Sequence, residues 1–203
     1  MQKGLFITFE GIDGCGKSTQ LDLCEKYFIN KGYEVLKTLE PGAGKFGKKI
    51  REILLHYDED LSSIAESFLF LADRSQHIEY TIKPAIEKGK IVLCDRHTYS
   101  TNAYQGYGIG NDIERIKQLN EIATNGIIPD LTFVFDLPLE IAQKRMGREL
   151  DRMENNGNDF NLRVKNGYLE LAKLYPNRIK LINANQPVEN VFEDVKKYLD
   201  EVL

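Results

Sequence analysis

A short glycine-rich stretch near the start of the chain has the composition and spacing of a phosphate-binding loop. Residues 11–18 fit the pattern G-x-x-x-x-G-K-[ST]. Its glycines allow backbone conformations that turn successive N–H groups toward phosphate oxygens, and the helix that follows adds the positive end of its dipole. We therefore expect the loop to bind a nucleoside triphosphate, with the lysine at the β- and γ-phosphates and the next hydroxyl on Mg²⁺. The predicted cofactor-binding residues are Gly11, Ile12, Asp13, Gly14, Cys15, Gly16, Lys17, Ser18 and Thr19.

A second motif supplies the positive charge that an acceptor phosphate would need. Asp95-Arg96-His97 follows a predicted strand, at the edge where open α/β sheets bind ligands. A phosphate acceptor is nearly dianionic at neutral pH, so transfer to it requires no general base but does require cations that bring two anions together. Arg96 is therefore a candidate for holding an acceptor phosphate. Asp95, with Ser18, is a candidate for binding Mg²⁺ directly or through water.

Further arginines lie in the charged segment Arg-Met-Gly-Arg-Glu-Leu-Asp-Arg-Met-Glu, at Arg145, Arg148 and Arg152. An isolated run of this kind is typical of a charged helix surface. The glycine within it and the Asn-rich stretch after it instead favour a mobile lid near residues 145–158 that closes over the donor. The candidate catalytic residues are Lys17, Arg96, Arg148, Arg152 and Asp13.

A phosphate loop alone does not identify the reaction, because motor ATPases, GTPases and small-molecule kinases all use one. The chain has no Asn-Lys-x-Asp element of the kind that GTPases use to read guanine, and its small size favours a small-molecule kinase. Two alternatives stay open. A deoxynucleoside kinase would need a carboxylate base near the 5′-hydroxyl, for which Asp13 or Glu40 could serve. A nucleotide-dependent switch would hydrolyse ATP slowly and without an acceptor.

Short apolar runs alternate with longer helical patterns along the chain. This alternation predicts the α/β class, with a five-stranded parallel sheet covered by helices on both faces, of the P-loop NTP hydrolase type. A capping box at Ser63-Ile64-Ala65-Glu66 predicts the start of one long helix that ends near Glu87. The strands are predicted at 5–9, 34–38, 91–94, 131–136 and 180–182, and the helices at 17–31, 46–55, 63–87, from 100 onward, 113–124, 139–148, 160–174 and 188–203.

The composition is that of an ordinary globular protein. The chain has 203 residues, of which 42% are hydrophobic and 29% charged, which favours one folded domain over a disordered chain. A formal charge of −4 gives no basic excess for nucleic acid, and no apolar stretch is long enough for a bilayer. Three cysteines without metal-ligand spacing, two of them in apolar patterns at Cys24 and Cys94, favour a reducing, cytoplasmic setting.

Six motifs occur in the order and spacing of one enzyme family. They are Phe-Glu-Gly-Ile-Asp-Gly-Cys-Gly-Lys-Ser-Thr (9–19), Glu-Pro-Gly (40–42), Phe-Leu-Ala-Asp-Arg (70–74), Asp-Arg-His (95–97), Ser-Thr-Asn-Ala-Tyr-Gln-Gly (100–106) and Gly-Arg-Glu-Leu-Asp-Arg (147–152). Over nearly its whole length the sequence resembles the thymidylate kinases. The resemblance implies transfer of the γ-phosphoryl group of ATP to dTMP with Mg²⁺, giving dTDP and ADP in dTTP synthesis. It also implies the nucleoside monophosphate kinase fold and a homodimer.

The resemblance also implies roles for residues that would otherwise be taken as core aromatics or surface charges. By position, Phe70 would stack on the thymine ring. Arg74 would donate to thymine O4, where cytosine presents an amino donor that opposes it. Thr101 would lie beside the base edge, Tyr104 would crowd C2′ and so favour deoxyribose, and Arg96 would hold the dTMP phosphate. The expected substrate-binding residues are Phe70, Arg74, Arg96, Ser100, Thr101, Tyr104 and Gln105.

The arginine positions distinguish two forms of the family. One form carries a catalytic arginine in the phosphate loop, and the other supplies it from the lid. The loop here has no arginine, whereas the lid carries Arg148 and Arg152, so the chain resembles the bacterial, lid-arginine form. The usual Thr-Arg-Glu-Pro-Gly-Gly-Thr segment of the family has Leu39 in place of its arginine here, and Lys45, Lys48 or Arg51 are candidates to compensate.

Overall fold

A parallel sheet of five strands forms the centre of the molecule. The computed structural model describes residues 4–57, 61–146 and 157–203. Its strands are β1 (Leu5–Glu10), β2 (Val35–Leu39), β3 (Ile91–Asp95), β4 (Leu131–Asp136) and β5 (Ile179–Asn183). They lie in the order β2-β3-β1-β4-β5, and each neighbouring pair is parallel. The predicted sheet is therefore confirmed, with each strand within two residues of its predicted bounds.

Helices connect the strands, as parallel pairing requires. The α-helices of the described residues are α1 (Lys17–Asn30), α2 (Gly44–His56), α3 (Ser63–His77), α4 (Lys83–Glu87), α5 (Thr98–Thr101), α6 (Ile113–Thr124), α7 (Leu139–Met146), α8 (Gly157–Leu174) and α9 (Val188–Val202). Two π-helical segments interrupt them, one between α3 and α4 (Ile78–Ile82) and one after α5 (Asn102–Gly108).

The predicted capping box at Ser63 is wrong, whereas the predicted helical stretch over 63–87 is present as α3, the π-helical segment Ile78–Ile82 and α4, which follow one another without a gap. The N-cap of α3 is Ser62, whose side chain accepts from the Ala65 backbone N–H at 3.3 Å. Glu66, which the box needs, is buried and accepts a hydrogen bond from Gln105 Nε2 at 3.1 Å. A tertiary contact thus takes the carboxylate, and the π-helical segment Ile78–Ile82 then breaks the α-helical register before α4.

The core covers both faces of the sheet. The strand β3 is buried from Ile91 to Cys94, as its uninterrupted apolar sequence predicts. Cys24 and Cys94 are buried free thiols, in agreement with their prediction as small core residues. No helix within the described ranges is both long and apolar enough to cross a bilayer.

The ends of the strands place the candidate functional residues. Because β1, β2 and β3 run in the same direction, the segments that follow them meet at one edge of the sheet. The loop of residues 11–16 follows β1, Glu40 follows β2, and Arg96 follows β3. Three of the six sequence motifs therefore converge at this edge.

Candidate functional site

The loop between β1 and α1 has backbone geometry that a side chain would disturb. Gly11 has φ 135° and Gly14 has φ 77°, in the region that favours glycine. A Cβ on Gly14 would lie 2.4 Å from the backbone oxygen of Ala142, so α7 packs directly against the loop. The two glycines therefore fix both the shape of the loop and the helix beside it.

The ammonium group of Lys17 and the dipole of α1 lie where the predicted phosphate site needs positive charge. Lys17 Nζ donates to the carbonyl oxygens of Gly11 and Ile12, at 3.1 and 3.0 Å, so the ammonium group lies within the loop. The N-cap of α1 is Gly16, which offers no side chain to the first N–H groups of the helix. Those N–H groups and the helix dipole are available to an anion.

A cavity of about 660 Å³ opens onto the loop. Residues 13–20 form its polar side, with Asp95 and Arg96 at the end of β3. Its other side includes Val188, Val191 and Arg145, whose Nη2 donates to the Ala184 carbonyl oxygen at 3.3 Å. A cavity of this size, lined by both polar and apolar side chains, can hold a nucleotide. We refer to it as the donor cavity.

A second, smaller cavity of about 110 Å³ adjoins the first. The structure brings all the expected substrate-binding residues to its lining, which includes Phe70, Arg74, Arg96, Ser100, Thr101, Tyr104 and Gln105. Pro41 and Leu54 add apolar surface. Its lining of aromatic, apolar and a few convergent polar groups suits a small planar ligand. We refer to it as the acceptor cavity.

The two cavities share part of their lining. The residues common to both are Asp13, Glu40, Arg51 and Arg96. Two arginines and two carboxylates thus lie where a group could pass from one cavity to the other. The two guanidinium groups at this junction can hold two anions close together.

Arg96 is held at this junction by hydrogen bonds from both of its terminal nitrogens, Nη1 and Nη2. Its Nη2 pairs with Asp13 Oδ1 at 2.7 Å, and its Nη1 donates to the Gly11 carbonyl oxygen at 3.0 Å. The same Nη1 lies 3.2 Å from Ser100 Oγ and 3.3 Å from Tyr168 OH. The backbone of Arg96 has φ 68°, a left-handed conformation that is uncommon for a residue with a side chain and is often found at functional sites. The end of β3 is therefore shaped to aim this side chain.

Asp13 is an ionised partner of Arg96. Burial alone would raise the pKa of Asp13, but the charges of Arg96 and Lys17 together lower it well below its ordinary range. Asp13 Oδ2 also accepts from Tyr104 OH at 3.2 Å. The loop, the end of β3 and the second π-helical segment are thus joined through one carboxylate.

Glu40 is the centre of a buried ionic cluster behind the acceptor cavity. Its Oε2 accepts from Arg74 Nε at 2.9 Å, and its Oε1 accepts from the Nδ1 atoms of His77 and His97, at 2.8 and 3.0 Å. Burial would raise the pKa of Glu40, but His97, Arg74 and the hydrogen bond from His77 lower it well below its ordinary range. Burial lowers the pKa of His97. The cluster therefore contains an ionised glutamate and a charged arginine, with both histidines hydrogen-bonded to the glutamate.

The ligand atoms of Glu40, His77 and Cys94 lie within 4.8 Å of one another, a spacing that a metal ion could bridge. Each atom already has a hydrogen-bond partner. Cys94 Sγ donates to the Arg96 carbonyl oxygen at 3.1 Å, and burial raises the pKa of this thiol well above its ordinary value. A protonated thiol is a poor ligand, so the group serves to position Arg74 and Arg96.

The predicted metal pair, Ser18 and Asp95, is brought together. Ser18 Oγ donates to Asp95 Oδ2 at 3.2 Å. Asp95 Oδ1 is buried and has no hydrogen-bond partner among the residues that the structure describes. A buried carboxylate oxygen without a donor, beside a hydroxyl and the triphosphate-binding loop, fits the oxygen ligands that Mg²⁺ prefers.

Leu39 stands where the family usually has an arginine, and it adds no charge to the donor cavity. The residue is 42% exposed and lines that cavity. Of the three residues considered as compensation, Arg51 lines both cavities, and Lys45 and Lys48 line neither. Arg51 Nη1 donates to the Pro41 carbonyl oxygen at 2.8 Å, which fixes it beside the junction. The expected lid arginines, Arg148 and Arg152, lie outside the described residues.

Sequence reasoning missed residues that hold the site from behind. Tyr168 of α8 contacts Arg96, and Glu10 Oε2 accepts from Ser100 Oγ at 2.5 Å. Asn120 of α6 accepts from Arg74 Nη1 at 2.6 Å. Glu10 stands directly before the phosphate loop at the end of a predicted buried strand, which is a signal that could have marked it. Tyr168 and Asn120 lie in helical patterns that carry no such signal.

Comparisons with known proteins agree with this geometry. A family model described as "Thymidylate kinase" matches residues 9–195. The thymidylate kinase of a Thermoanaerobacter species is 48% identical over 202 residues, which cover 97% of this chain and 100% of that protein. That of Clostridium novyi is 43% identical over 204 residues, with 98% and 100% covered. The crystal structure of thymidylate kinase from Ehrlichia chaffeensis matches with a TM-score of 0.80 at 36% identity, over 97% of this chain and 99% of that chain.

Proposed function

This chain belongs to the thymidylate kinase family, and from this premise we infer that it transfers the γ-phosphoryl group of ATP to dTMP, giving dTDP and ADP in dTTP synthesis. The observation that carries the inference is the junction of the donor and acceptor cavities at Asp13, Glu40, Arg51 and Arg96. A kinase that acts on a monophosphate needs such a junction, because two anionic phosphates must approach to reacting distance.

The chemistry requires charge and positioning more than proton transfer. An oxygen of the dTMP phosphate forms a bond to the γ-phosphorus of ATP, while the bond from that phosphorus to the β–γ bridging oxygen breaks. The electron pair of the broken bond leaves with ADP. The acceptor is nearly dianionic at neutral pH, so no base has to remove a proton.

In this proposal Arg96 holds the acceptor phosphate and Lys17 holds the donor. The pairing of Arg96 with Asp13 and with the Gly11 carbonyl oxygen ties the acceptor cation to the donor loop itself. Arg51, at the same junction, supplies a further positive charge in place of the arginine that Leu39 replaces. The two phosphates then meet across a fixed distance, which lowers the entropic part of the barrier.

Mg²⁺ is part of the proposal. Ser18 and Asp95 would hold it, and the bound ion would neutralise charge on the β- and γ-phosphates. Both proposed Mg²⁺ ligands lie at the edge of the sheet where the phosphate loop lies: Ser18 is on the first turn of α1, and Asp95 is at the end of β3.

The acceptor cavity supports recognition of thymine and deoxyribose. Phe70 of α3 would stack on the base, and Arg74 would donate to its O4. Tyr104 is held by Asp13 and lies under the Arg96 guanidinium, 5.1 Å from ring centroid to Cζ. A ring fixed in this way would crowd a 2′-hydroxyl. Thr101, Ser100 and Gln105 complete the polar lining.

The lid arginines remain a proposal. Transition-state charge on the transferred group would be met by Arg148 or Arg152, because the described loop contains no arginine between Gly11 and Ser18. Arg145, at the end of α7, already lines the donor cavity. Arg148 and Arg152 follow it three and seven residues later in the sequence.

The proposal also includes a homodimer and a cytoplasmic location. Large apolar side chains are exposed on α2 and α3, among them Phe46, Ile53 and Phe68, and a second copy of the chain could cover them. All three cysteines are buried free thiols, which suits a reducing compartment.

The test compares two acceptors with ATP and Mg²⁺ present. We expect dTMP to yield dTDP and thymidine to yield no dTMP, as followed by chromatographic separation of the products. The two carboxylates that could act as a base toward a 5′-hydroxyl are both committed, Asp13 to Arg96 and Glu40 to Arg74. Rapid phosphorylation of thymidine would favour the deoxynucleoside kinase alternative. ATP hydrolysis that ignores dTMP would favour a nucleotide-dependent switch.

A further inference from the structure

We propose that Asn120, on α6 and outside all the sequence motifs, is a positioning residue that sets selectivity for the base by orienting Arg74. The inference rests on the proposed function, in which Arg74 reads the base. Asn120 does not line the acceptor cavity, so it acts through Arg74 and not by touching the substrate.

Arg74 has more hydrogen-bond donors than its protein partners use. A guanidinium group has five N–H donors in a fixed plane. The Nε donor goes to Glu40 Oε2 at 2.9 Å, and Nη1 donates to Thr101 Oγ1 at 2.8 Å and to Asn120 Oδ1 at 2.6 Å. Nη2 has no hydrogen-bond partner within the described part of the chain. The three contacts use Nε and Nη1 and therefore leave the Nη2 donors for a ligand in the acceptor cavity.

Asn120 is itself oriented by a second pair of contacts. Its Nδ2 donates to Asn102 Oδ1 at 2.8 Å and lies 3.4 Å from the Thr98 carbonyl oxygen. Because the amide nitrogen faces two acceptors, the amide oxygen must face Arg74. Asn120 is 4% exposed and Arg74 is 2% exposed, so water does not compete for these bonds.

The hydrogen bond from Arg74 to Asn120 fixes the position of the Arg74 N–H groups that the base meets. Without the Asn120 oxygen, one Nη1 donor would lose its acceptor in a buried site, and the guanidinium could turn that donor toward the cavity. The cavity would then no longer present donors at a fixed position. A base with a carbonyl group would bind less well, and a base with an amino group would be opposed less strictly.

Three variants test this proposal. Asn120→Leu has a similar shape and removes the acceptor, and Gln118→Leu is a control on an exposed face of α6. Asn120→Asp keeps an acceptor oxygen toward Arg74, and its second oxygen can accept from Asn102 Nδ2 when the Asn102 amide turns over. Each is assayed for kcat and KM with dTMP, with dCMP and with ATP, and its thermal unfolding is measured. A purely structural role would change unfolding but not the ratio of kcat/KM between dTMP and dCMP.

We expect the Leu variant to lose about 10- to 100-fold of the dTMP-over-dCMP preference, mainly through a raised KM for dTMP, with the KM for ATP unchanged. The Asp and Gln118→Leu variants should keep the wild-type preference. If Asn120→Leu does not fold, Asn120→Ala removes the same acceptor, and Asn120→Asp remains a test by itself.

Two results would overturn the inference. One is a folded Leu or Ala variant with the wild-type preference, and the other is a folded Asp variant that has lost it. A wild-type protein without any preference for dTMP would instead overturn the proposed function. The two failures are therefore distinguishable in the same assay.

Discussion

Arg96 shows how a single side chain connects the two halves of the site. Its guanidinium contacts Asp13 and Gly11 on the donor side and Ser100 on the acceptor side. In the proposed reaction it binds the acceptor phosphate, whereas ATP is bound mainly by the loop and by Lys17. The two functions should separate when this residue is changed.

We expect Arg96→Ala to lower kcat with dTMP by about 10²- to 10³-fold, because a cation aimed at the transferring group is removed. The dissociation constant of ATP, measured by calorimetry, should change by less than about threefold, since the loop is intact. Arg115→Ala, at an exposed position on α6, is the matched control and should leave both values unchanged. A variant that no longer binds ATP would show that Arg96 belongs to the donor site instead.

Asp73 makes a testable contribution to the pH dependence of stability. Its two carboxylate oxygens lie 3.4 and 3.3 Å from the Gly42 backbone nitrogen. Burial and the neighbouring Glu40 carboxylate raise its pKa to about 6, from an ordinary value of 3.8. The folded state therefore binds a proton at Asp73 more tightly than the unfolded state does. The stabilisation is complete below about pH 4 and is lost as the pH rises through about 6.

The Asp73→Asn variant keeps the shape of the side chain and removes its charge. We expect the variant to be more stable than the wild type above pH 6, by at most about 3 kcal/mol, and to approach it near pH 4. Urea unfolding at pH 4.5 and 7.5 measures the difference. An equal effect at both pH values would show that the charge of Asp73 is not the cause.

At the scale of the elements, the periodicity of apolar residues predicts the strands and most helices. It does not predict features that depend on contacts between elements distant in the sequence. The strands β1, β3 and β4 were predictable because they are almost entirely buried and mainly apolar, with Thr8 and Thr132 as buried polar residues within β1 and β4. The two π-helical segments were not, since their wider turns depend on packing against neighbours and leave the apolar spacing almost unchanged. The N-cap of α3 is Ser62, one residue before the predicted one, and Glu66 accepts a hydrogen bond from Gln105, which is distant in the sequence.

The packing of α7 on the phosphate loop gives a prediction at this scale. Gly14 and Gly32 both have positive φ, 77° and 86°, so an alanine at either position would be strained. A Cβ on Gly14 would in addition meet the Ala142 carbonyl oxygen at 2.4 Å, whereas one on Gly32 would meet nothing within 4 Å.

We expect Gly14→Ala to weaken ATP binding by about 10-fold or more, because the loop must move away from α7. Gly32→Ala should cost only about 1–2 kcal/mol of stability and leave ATP affinity unchanged. Calorimetric titration with ATP and thermal unfolding of both variants provide the comparison. Equal ATP affinities for the two variants would contradict the account of the loop.

For the molecule as a whole, the motifs predicted the residues that line the acceptor cavity, but not the buried ion pair of Arg74 and Glu40 behind it. Arg74 would be taken as a surface residue from its own sequence neighbourhood, yet it is 2% exposed. Burial is possible because Glu40, from a motif 34 residues away, neutralises it. Sequence shows each motif separately, and only the fold shows that two motifs form one ion pair. Asn120 and Tyr168 had no motif and were found only from their contacts.

The central claim is that two cavities meeting at Arg96 make this molecule a kinase selective for dTMP. Its most direct test is the formation of ADP from ATP and Mg²⁺ with equal concentrations of dTMP, dCMP, UMP and AMP as separate acceptors. The account predicts the highest kcat/KM for dTMP, because cytosine and adenine offer no O4 to Arg74, and UMP, whose uracil does, carries a 2′-hydroxyl in a cavity that Tyr104 narrows at C2′. Equal or faster turnover of dCMP, UMP or AMP would contradict it.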